Sequence, residues 1–230
     1  MIALNILTST KHWQSLPDAT LIHHARKKET KAFEAIMRRY NQRLFRTARS
    51  ILNHDADAED AVQEAYLKAW QSLHNFKENS LLSTWLTRIV INESLSKIRK
   101  HAKANIIPLD AVNSSLNSIE DMTALTCNAK QPEHNMMQSQ LKQILEQQID
   151  RLPENFRIVF ILKAIEELPI AEIATILDIP EATVRSRFFR AKSILRSNIT
   201  MGFDLALEDV FSFDGLRCDR IVDHVMAKIH

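Results

Sequence analysis

The fold of this chain is decided by a stretch that runs from Asp57 to Trp70 and reads DAEDAVQEAYLKAW. Its alanines and large apolar residues recur at intervals of three and four, which is the spacing of one buried helix face. The pattern predicts an amphipathic helix over Asp55–Leu73, and the acids at its start suit the positive end of the helix dipole. A second face of the same helix is polar and carries Asp60, Gln63 and Glu64. The buried stripe consists of Ala58, Ala61, Val62, Ala65, Tyr66, Ala69 and Leu73.

Similar periodicity on both sides predicts further helices over Asp18–Lys28, Ala32–Leu52 and Leu81–Lys100. The helix predicted over Leu81–Lys100 buries Leu86 in the core. The neighbouring Trp85 fits either the core or a contact with a nucleic-acid base. The helix predicted over Ala32–Leu52 carries five arginines, mostly outside its apolar stripe, and their simplest interpretation is a solvated face. These arginines are Arg38, Arg39, Arg43, Arg46 and Arg49.

Composition excludes several classes of fold and function. The chain has 230 residues but only two glycines, Gly202 and Gly215. Phosphate-cradling loops and dinucleotide-binding turns need several glycines, so P-loop and Rossmann folds are excluded and no cofactor is expected. Tight hairpin turns also favour glycine. We therefore predict an all-α fold.

The helical period lapses in the middle of the chain. Residues from His101 to Met137 are rich in Asn, Ser, Thr and Ala and show no clear periodicity. A structureless stretch of this length is natural between domains and unusual within one. We predict two helical domains joined by a flexible linker and followed by a tail with an amphipathic helix. The boundaries are 15–100 for the first domain, 101–136 for the linker, 137–198 for the second domain and 199–230 for the tail.

The second domain ends in a pattern typical of a helix-turn-helix. Helices are predicted over Leu141–Ile149 and Asn155–Leu168, then over Ile170–Leu177, where Ile173, Ala174 and Leu177 face inward. A turn follows, and the next helix begins near Glu181. Its inward positions are Val184, Phe188, Ala191 and Leu195.

The polar face of this last helix carries residue types that contact bases and phosphates in the DNA major groove. In the turn before it, Asp178 takes the place that most such motifs fill with glycine. Aspartate adopts the left-handed backbone conformation at modest cost, so the motif is retained. We predict DNA contacts from Thr183, Arg185, Ser186, Arg187 and Arg190.

Charge is segregated along the chain although the net charge is only +2. The stretch Asn53–Glu64 has five acids and no base, whereas Glu181–Arg196 has five bases and one acid. Opposite charges on two small surfaces indicate two different partners.

Metal, export and membrane signals are weak. Cys127 and Cys218 are far apart in sequence, and Cys218 has no cluster of metal-ligand residues around it, so no metal site is predicted. Met1–Leu7 lacks the basic and apolar regions of a signal peptide, and no apolar run is long enough to span a bilayer. We expect a cytoplasmic protein without membrane insertion.

Several motifs, in order over about Asp18–Asn198, resemble one family, the extracytoplasmic-function (ECF) sigma factors of bacterial RNA polymerase. The acidic helix joined to the tryptophan-bearing helix is the specific part of this resemblance, since helix-turn-helix motifs are widespread. The motifs are Phe33-Glu34-Ala35-Ile36, Arg39-Tyr40, Asp57–Trp70, Ser83–Asn92, Leu152-Pro153-Glu154, Ala171–Ala174 and Pro180–Arg187.

The resemblance implies a factor that binds the polymerase core, directs it to promoters and assists promoter opening. It places the acidic helix on a coiled-coil of the largest polymerase subunit, through Asp60, Gln63 and Glu64, with Tyr66 and Trp70 packing behind or beside them. It also implies a contact with the flap region of the polymerase and allows an anti-sigma factor as a further partner.

The resemblance assigns the minus-ten promoter element to the first domain and the minus-thirty-five element to the helix beginning near Glu181. The family's minus-ten loop often carries a glycine where this chain has Lys77-Glu78-Asn79. Cations suit single-stranded backbone, and amide groups suit flipped bases. The candidates for minus-ten contact are Lys77, Asn79, Ser80, Arg88, Asn92, Lys97, Arg99 and Lys100.

The alternative function is a stand-alone helix-turn-helix regulator, which has no use for an acidic docking helix. A helical enzyme is not predicted, because the sequence shows no paired carboxylates in an apolar setting, no metal cluster and no nucleophile with a positioned base.

Overall fold

The structure, a computed structural model, describes residues 12–104, 142–198 and 210–229. The first of these ranges contains α1 (Asp18–Arg26), α2 (Thr30–Leu52), α3 (Asp55–Ser72) with a following 3₁₀ turn (Leu73–Asn75), and α4 (Leu82–Ala104). The second contains α5 (142–150), α6 (Glu154–Phe160) with a π turn (Ile161–Ile165), α7 (Ile170–Leu177) and α8 (Glu181–Asn198), and the third contains α9 (Gly215–Ile229). These ranges contain no strand, and the all-α prediction is confirmed. Most of the predicted linker lies outside the described residues, while 101–104 continue α4.

The first domain is a bundle in which α2, α3 and α4 pack against one another and α1 covers α2. Phe33 of α2 lies at its centre, with its ring 6.1 Å from that of Tyr66 and 5.0 Å from that of Trp70. All three side chains are at least nine-tenths buried. Burial of such large aromatic groups supplies much of the hydrophobic stabilisation of a small bundle and fixes the rotation of α3 about its axis.

The second domain packs α6 and α7 against α8. Its apolar centre contains Val159, Leu162, Ile173 and Val184, all fully buried. The helix predicted over Asn155–Leu168 ends earlier than expected, because the backbone widens into the π turn over Ile161–Ile165.

Four of the five arginines of α2 are partly or fully buried and only Arg39 is exposed, so the expectation of a solvated face was wrong. Arg46 is only 7% exposed. Both Arg43 and Arg46 reach Glu166 after the π turn, at 3.3 and 3.5 Å. The acceptors lie more than a hundred residues further along the chain, so local sequence gave no sign of them. The second half of α2 is therefore an interface between the two domains, whereas Arg38 pairs with Glu34 and Asp219 and Arg39 pairs with Asp18.

Two further arginines join the domains. Arg49 pairs with both carboxylate oxygens of Asp150, at 2.9 and 2.8 Å, and with Asp55 at 2.7 Å. Burial alone would lower the pKa of Arg49, but the two carboxylates outweigh it and raise the pKa above its usual value. Arg157 of α6 is buried and donates to the carbonyl of Ser50 at the end of α2. The contact between the domains also has an apolar part, because Ile51 of α2 belongs to the same buried cluster as the core of the second domain.

The tail forms an amphipathic helix, as predicted. Ile221, Val222 and Val225 of α9 are buried and belong to the core of the first domain. The helix packs across α2 and α3. The tail is thus a structural part of the first domain, although it follows the second in sequence.

Candidate protein and nucleic-acid interfaces

One candidate interface is the acidic strip, defined as Asp60, Gln63 and Glu64 of α3. Asp60 and Glu64 are exposed and Gln63 is partly exposed. Positions three and four apart lie on one helix face, so the three side chains point in a common direction. Carboxylates on one rigid helix face suit a partner surface that bears arginines.

Tyr66 and Trp70 lie behind the acidic strip and do not face a partner. Tyr66 is fully buried, and its hydroxyl donates to the carbonyl of Met37 at 3.2 Å. Burial raises the pKa of Tyr66 well above its usual value, so the phenol stays protonated and keeps this bond. Trp70 is 8% exposed, with the Lys28 ammonium 4.7 Å from its ring centre. Both residues fix α3 in place.

An open cleft lies beside the acidic strip, between α3, α4 and α9. Lys97 and Lys100 of α4 line it together with the strip, and Lys97 reaches Asp60 at 3.1 Å. The opposite wall carries His224 and Lys228 of α9. The cleft is therefore acidic on one wall and basic on the others.

The predicted minus-ten residues of α4 divide between two faces. Arg88, Asn92 and Arg99 are exposed and follow one another at intervals of four and seven, which keeps them on one face. Lys97 follows Arg88 by nine residues, about two and a half turns of an α-helix, and so points the other way. Lys97 and Lys100 were predicted to contact the minus-ten element because they are cations, and they line the cleft beside the acidic strip.

The loop between the 3₁₀ turn and α4 presents Lys77, Asn79 and Ser80 to solvent. Glu78 in the same loop has a positive φ of 57°, a conformation that glycine adopts without strain. Its carboxylate accepts from Arg26 at 2.7 Å, and this contact with α1 holds the loop in the glycine-like shape. Glu78 therefore adopts the backbone conformation that a glycine in this loop would adopt without strain.

Trp85 packs in the core. Its ring centre is 5.0 Å from that of Phe76, and the side chain is only partly exposed. The structure thus favours the core interpretation of this tryptophan.

The helix-turn-helix has the predicted bounds, α7 and α8, and the predicted turn. Asp178 adopts the left-handed conformation, with φ 53° and ψ 48°, and its backbone caps α7. In α7 the fully inward positions are Ile173 and Ile176, while Ala174 and Leu177 are only partly buried. The helix is therefore rotated slightly from the predicted orientation.

Of the predicted DNA-contacting side chains of α8, Ser186 and Arg190 share the outermost face, while Thr183, Arg185 and Arg187 lie on its two flanks. Arg185, Ser186 and Arg190 are exposed, and Thr183 and Arg187 are partly exposed. Each is on an element whose opposite face is anchored by the buried Val184, Ala191 and Leu195. Arg185 pairs with Glu181 at 2.6 Å, a contact between exposed side chains that a phosphate can replace.

Phe189 is a candidate that the sequence analysis missed. It is 74% exposed and follows Arg185 and Ser186 by four and three residues, which places it on their face of α8. Of the two adjacent phenylalanines only Phe188 fits the inward spacing of Val184, Ala191 and Leu195. That mismatch was a visible signal. An apolar side chain in this position can contact the methyl group of thymine.

Metal and membrane sites have no support in the part of the chain that the structure covers. Within 12–104, 142–198 and 210–229, no three His, Cys, Asp or Glu side chains come together as a metal site would require. The same ranges hold no helix with the length and apolarity needed to cross a bilayer. Cys218 lies beside Asn41, whose amide nitrogen is 3.2 Å from Sγ.

A helix-turn-helix with a basic outer face, joined to a bundle with an acidic docking face, defines a DNA-binding protein with a separate protein-binding surface. Family models agree with both halves: the Sigma-70 region 2 model matches residues 36–104, and the Sigma-70, region 4 model matches residues 142–195.

Curated relatives are similar over most of the chain. The ECF RNA polymerase sigma factor SigW of Bacillus subtilis is 32% identical over 77% of this chain and 94% of its own length. The ECF RNA polymerase sigma-E factor of Escherichia coli is 31% identical over 81% of this chain and 96% of its own length. The chain belongs to the ECF RNA polymerase sigma factor family. It is a transcription initiation factor that directs RNA polymerase to promoters, and the stand-alone regulator is not favoured.

Solved structures share the fold. CnrH, in complex with the cytosolic domain of CnrY, matches with a TM-score of 0.52 and 21% identity over 78% of this chain and 95% of that one. The sigma factor RpoE from Bartonella quintana, in complex with the anti-sigma factor NepR, matches with a TM-score of 0.51 and 21% identity over 77% of this chain and 98% of that one.

Proposed function

We propose that the acidic strip is the surface through which this sigma factor binds the polymerase core. The single observation that carries the proposal is that Asp60 and Glu64 are exposed on a helix fixed from behind by the buried Tyr66. A rigid carboxylate pair loses little entropy when it meets a basic coiled-coil surface. The occupant we propose is the coiled-coil of the largest polymerase subunit.

Charge reversal tests the acidic strip. The variant with Asp60→Arg and Glu64→Arg should weaken core binding by a factor on the order of 100 or more, because like charges then oppose each other. Both positions are exposed and arginine favours helices, so the circular dichroism spectrum should stay unchanged. Fluorescence anisotropy with labelled core enzyme measures the affinity.

The matched control carries Glu154→Arg and Glu167→Arg, which make the same charge change at exposed positions of the second domain. It should keep most of the core affinity. If control and test variant lose affinity equally, bulk charge and not the acidic strip governs the association.

The basic face of α4, with the neighbouring loop, is the proposed minus-ten surface. Arg88, Asn92 and Arg99 supply two cations and an amide on one exposed face. Lys77, Asn79 and Ser80 extend that chemistry into the loop. Cations track single-stranded phosphates, and amide groups bond the edges of flipped bases.

Promoter opening distinguishes the two faces of α4. The variant with Arg88→Ala and Arg99→Ala should open less promoter DNA when assayed by permanganate footprinting of unpaired thymines. The variant with Lys97→Ala and Lys100→Ala removes the same number of cations from the cleft face and, at a saturating concentration of the factor that offsets any effect of losing the Lys97–Asp60 ion pair on core affinity, should open the promoter normally. Equal defects would show that position on the helix is irrelevant, against the proposal.

The outer face of α8 is the proposed minus-thirty-five surface, through Thr183, Arg185, Ser186, Arg187 and Arg190. Their mixture of bidentate donors and small hydroxyls suits base edges and phosphates in a major groove. We further propose that the second domain meets the polymerase flap and that the protein acts in the cytoplasm, without a cofactor and without catalysis of its own.

An anti-sigma factor is a further proposed partner. The support is that two proteins with this fold were solved in complexes: CnrH with the cytosolic domain of CnrY, and the sigma factor RpoE with the anti-sigma factor NepR. Co-purification of a tagged chain from its own cells, followed by mass spectrometry, tests for such a partner alongside the core subunits.

A further inference from the structure

Residues 210–229, here called the strap, lie across both domains. The helical part, α9, buries Ile221, Val222 and Val225 against α2 and α3 of the first domain. The preceding residues Val210 and Phe211 are also buried. An apolar face of this size keeps the strap docked in water.

The strap is also held by ion pairs to the beginning of α3. Arg217 lies 2.8 Å from Asp55 and 2.9 Å from Glu59, the second contact being an ion pair without hydrogen-bond alignment. Arg220 pairs with Glu59 at 2.8 Å, and this hydrogen bond raises the pKa of Arg220. Asp219 accepts from Arg38 of α2 at 2.7 Å. Arg217 and Arg220 of the strap thus neutralise Asp55 and Glu59 at the beginning of α3.

Phe211 bridges the two domains. Its backbone N–H donates to Glu146 of α5 at 2.8 Å, and its ring centre is 4.7 Å from the Arg49 guanidinium of α2. The residue has a positive φ of 50°, which is strained for a bulky side chain and persists only where its surroundings enforce it. Burial raises the pKa of Glu146. Phe211 is therefore held by Glu146 of the second domain and by Arg49 of the first.

The strap also borders the acidic strip. Asp55 and Glu59, which it neutralises, occupy the helical turn directly before Asp60. His224 and Lys228 of α9 form one wall of the cleft that the strip lines. A helix with its side chains is 10–12 Å across, so a partner helix seated on the strip meets these two residues.

We propose that the strap is an internal clasp, which holds the second domain on the first and must shift when polymerase docks on the acidic strip. This inference rests on the proposed function of the strip. The strap borders the strip and belongs to the same chain, so its effective concentration there is high and it obstructs polymerase even though each of its ion pairs with Asp55 and Glu59 is weak. Opening the clasp removes one set of contacts between the domains and leaves their association to the direct ion pairs of α2 with Asp150 and Glu166.

The test loosens the strap by Arg217→Glu together with Arg220→Glu in the full chain. The control, Leu216→Glu with Ala227→Glu, also adds two acids to the same helix, at exposed positions, and changes the net charge by half as much as the test variant. Small-angle scattering of the free protein reports the radius of gyration, and anisotropy reports core affinity. The test variant should show a larger radius and bind core about five- to thirtyfold more tightly, the factor for loss of a few partly exposed ion pairs.

The control should match the wild type in both measurements. The inference is overturned if the test variant keeps the wild-type radius, or if its radius grows while core affinity falls, since the strap would then be part of the polymerase surface. Should the double charge reversal lose its helical spectrum, Phe211→Ala decides instead, with the same expected direction. Because the radius is measured without polymerase, it tests the clasp even if the acidic strip proves not to bind core.

Discussion

Replacing Arg157 by methionine should lower the free energy of unfolding by about 3 kcal/mol. Arg157 is 6% exposed, and its guanidinium donates to three backbone carbonyls. One of its nitrogens, Nη1, reaches the carbonyls of Asp150 and Leu152 at 2.7 and 2.9 Å, and Nε reaches that of Ser50 in the first domain. Its fork of donors therefore ties α6 to the end of α2.

The magnitude follows from two opposing contributions. Three hydrogen bonds from a charged donor contribute about 1.5–3 kcal/mol each. Burial of the charge opposes them, and it lowers the pKa of Arg157 below its usual value. Since desolvation of a buried ion costs several kcal/mol, a net loss of about 3 kcal/mol remains when methionine fills the space. Arg157→Lys keeps the charge but cannot reach carbonyls on both sides, so its loss should be intermediate.

Urea unfolding followed by circular dichroism measures the change. A loss of 3 kcal/mol should also lower the melting temperature by about 6–12 °C for a protein of this size. The control is Arg151→Met, at an exposed arginine six residues earlier, which should change stability by no more than about 0.5 kcal/mol. A loss below about 1 kcal/mol for Arg157→Met, or equal losses for both variants, would refute the bridging role.

Three further predictions concern α8 and its turn. Arg187→Ala should cost about 1–3 kcal/mol in promoter binding if the side chain reads a base, and a gel-shift series should then show little loss on scrambled DNA. Phe189→Ala should weaken holoenzyme binding to the promoter about as much as deoxyuridine in place of a contacted thymine, and the two losses should not add, because both remove one methyl contact. Asp178→Gly should stabilise the protein by about 0.5–1 kcal/mol in thermal unfolding, since glycine relieves the left-handed strain; destabilisation would assign the carboxylate a role of its own.

The helix-turn-helix was predictable from sequence because its determinants are local. Pro169 and Pro180 lie directly before α7 and α8, and the turn residue Asp178 adopts the conformation that its chemistry allows. Residue faces on α3 followed in the same way from the helical period. Where the neighbours of a side chain lie within a few residues in sequence, the helical spacing alone predicted which face of the helix it occupies.

The arginines of α2 and the lysines of α4 were not predictable in this way. Arg49 pairs with Asp150, about a hundred residues away, and no local pattern announces that partner. Spacing puts Arg88 and Lys97 on opposite faces of α4, but only the packing of α4 against α3 decides which of these faces borders the acidic strip. The surroundings of these side chains therefore depend on contacts that are distant in sequence, and composition and spacing do not reveal such contacts.

Internal pairing also separates structural charges from those available to partners. Arg46 and Arg49 of α2 are largely buried and held by carboxylates of the second domain. Among the described residues, by contrast, no carboxylate or cation contacts the exposed side chains of Glu64, Arg190 and Arg88. A charge already paired in a partly buried site must lose that partner before it binds another, whereas an exposed and unpaired charge loses only water. Glu64 of the acidic strip, Arg88 of α4 and Arg190 of α8 are therefore the charges at which binding of polymerase and DNA costs least, whereas Asp60 and Arg185 must first release Lys97 and Glu181.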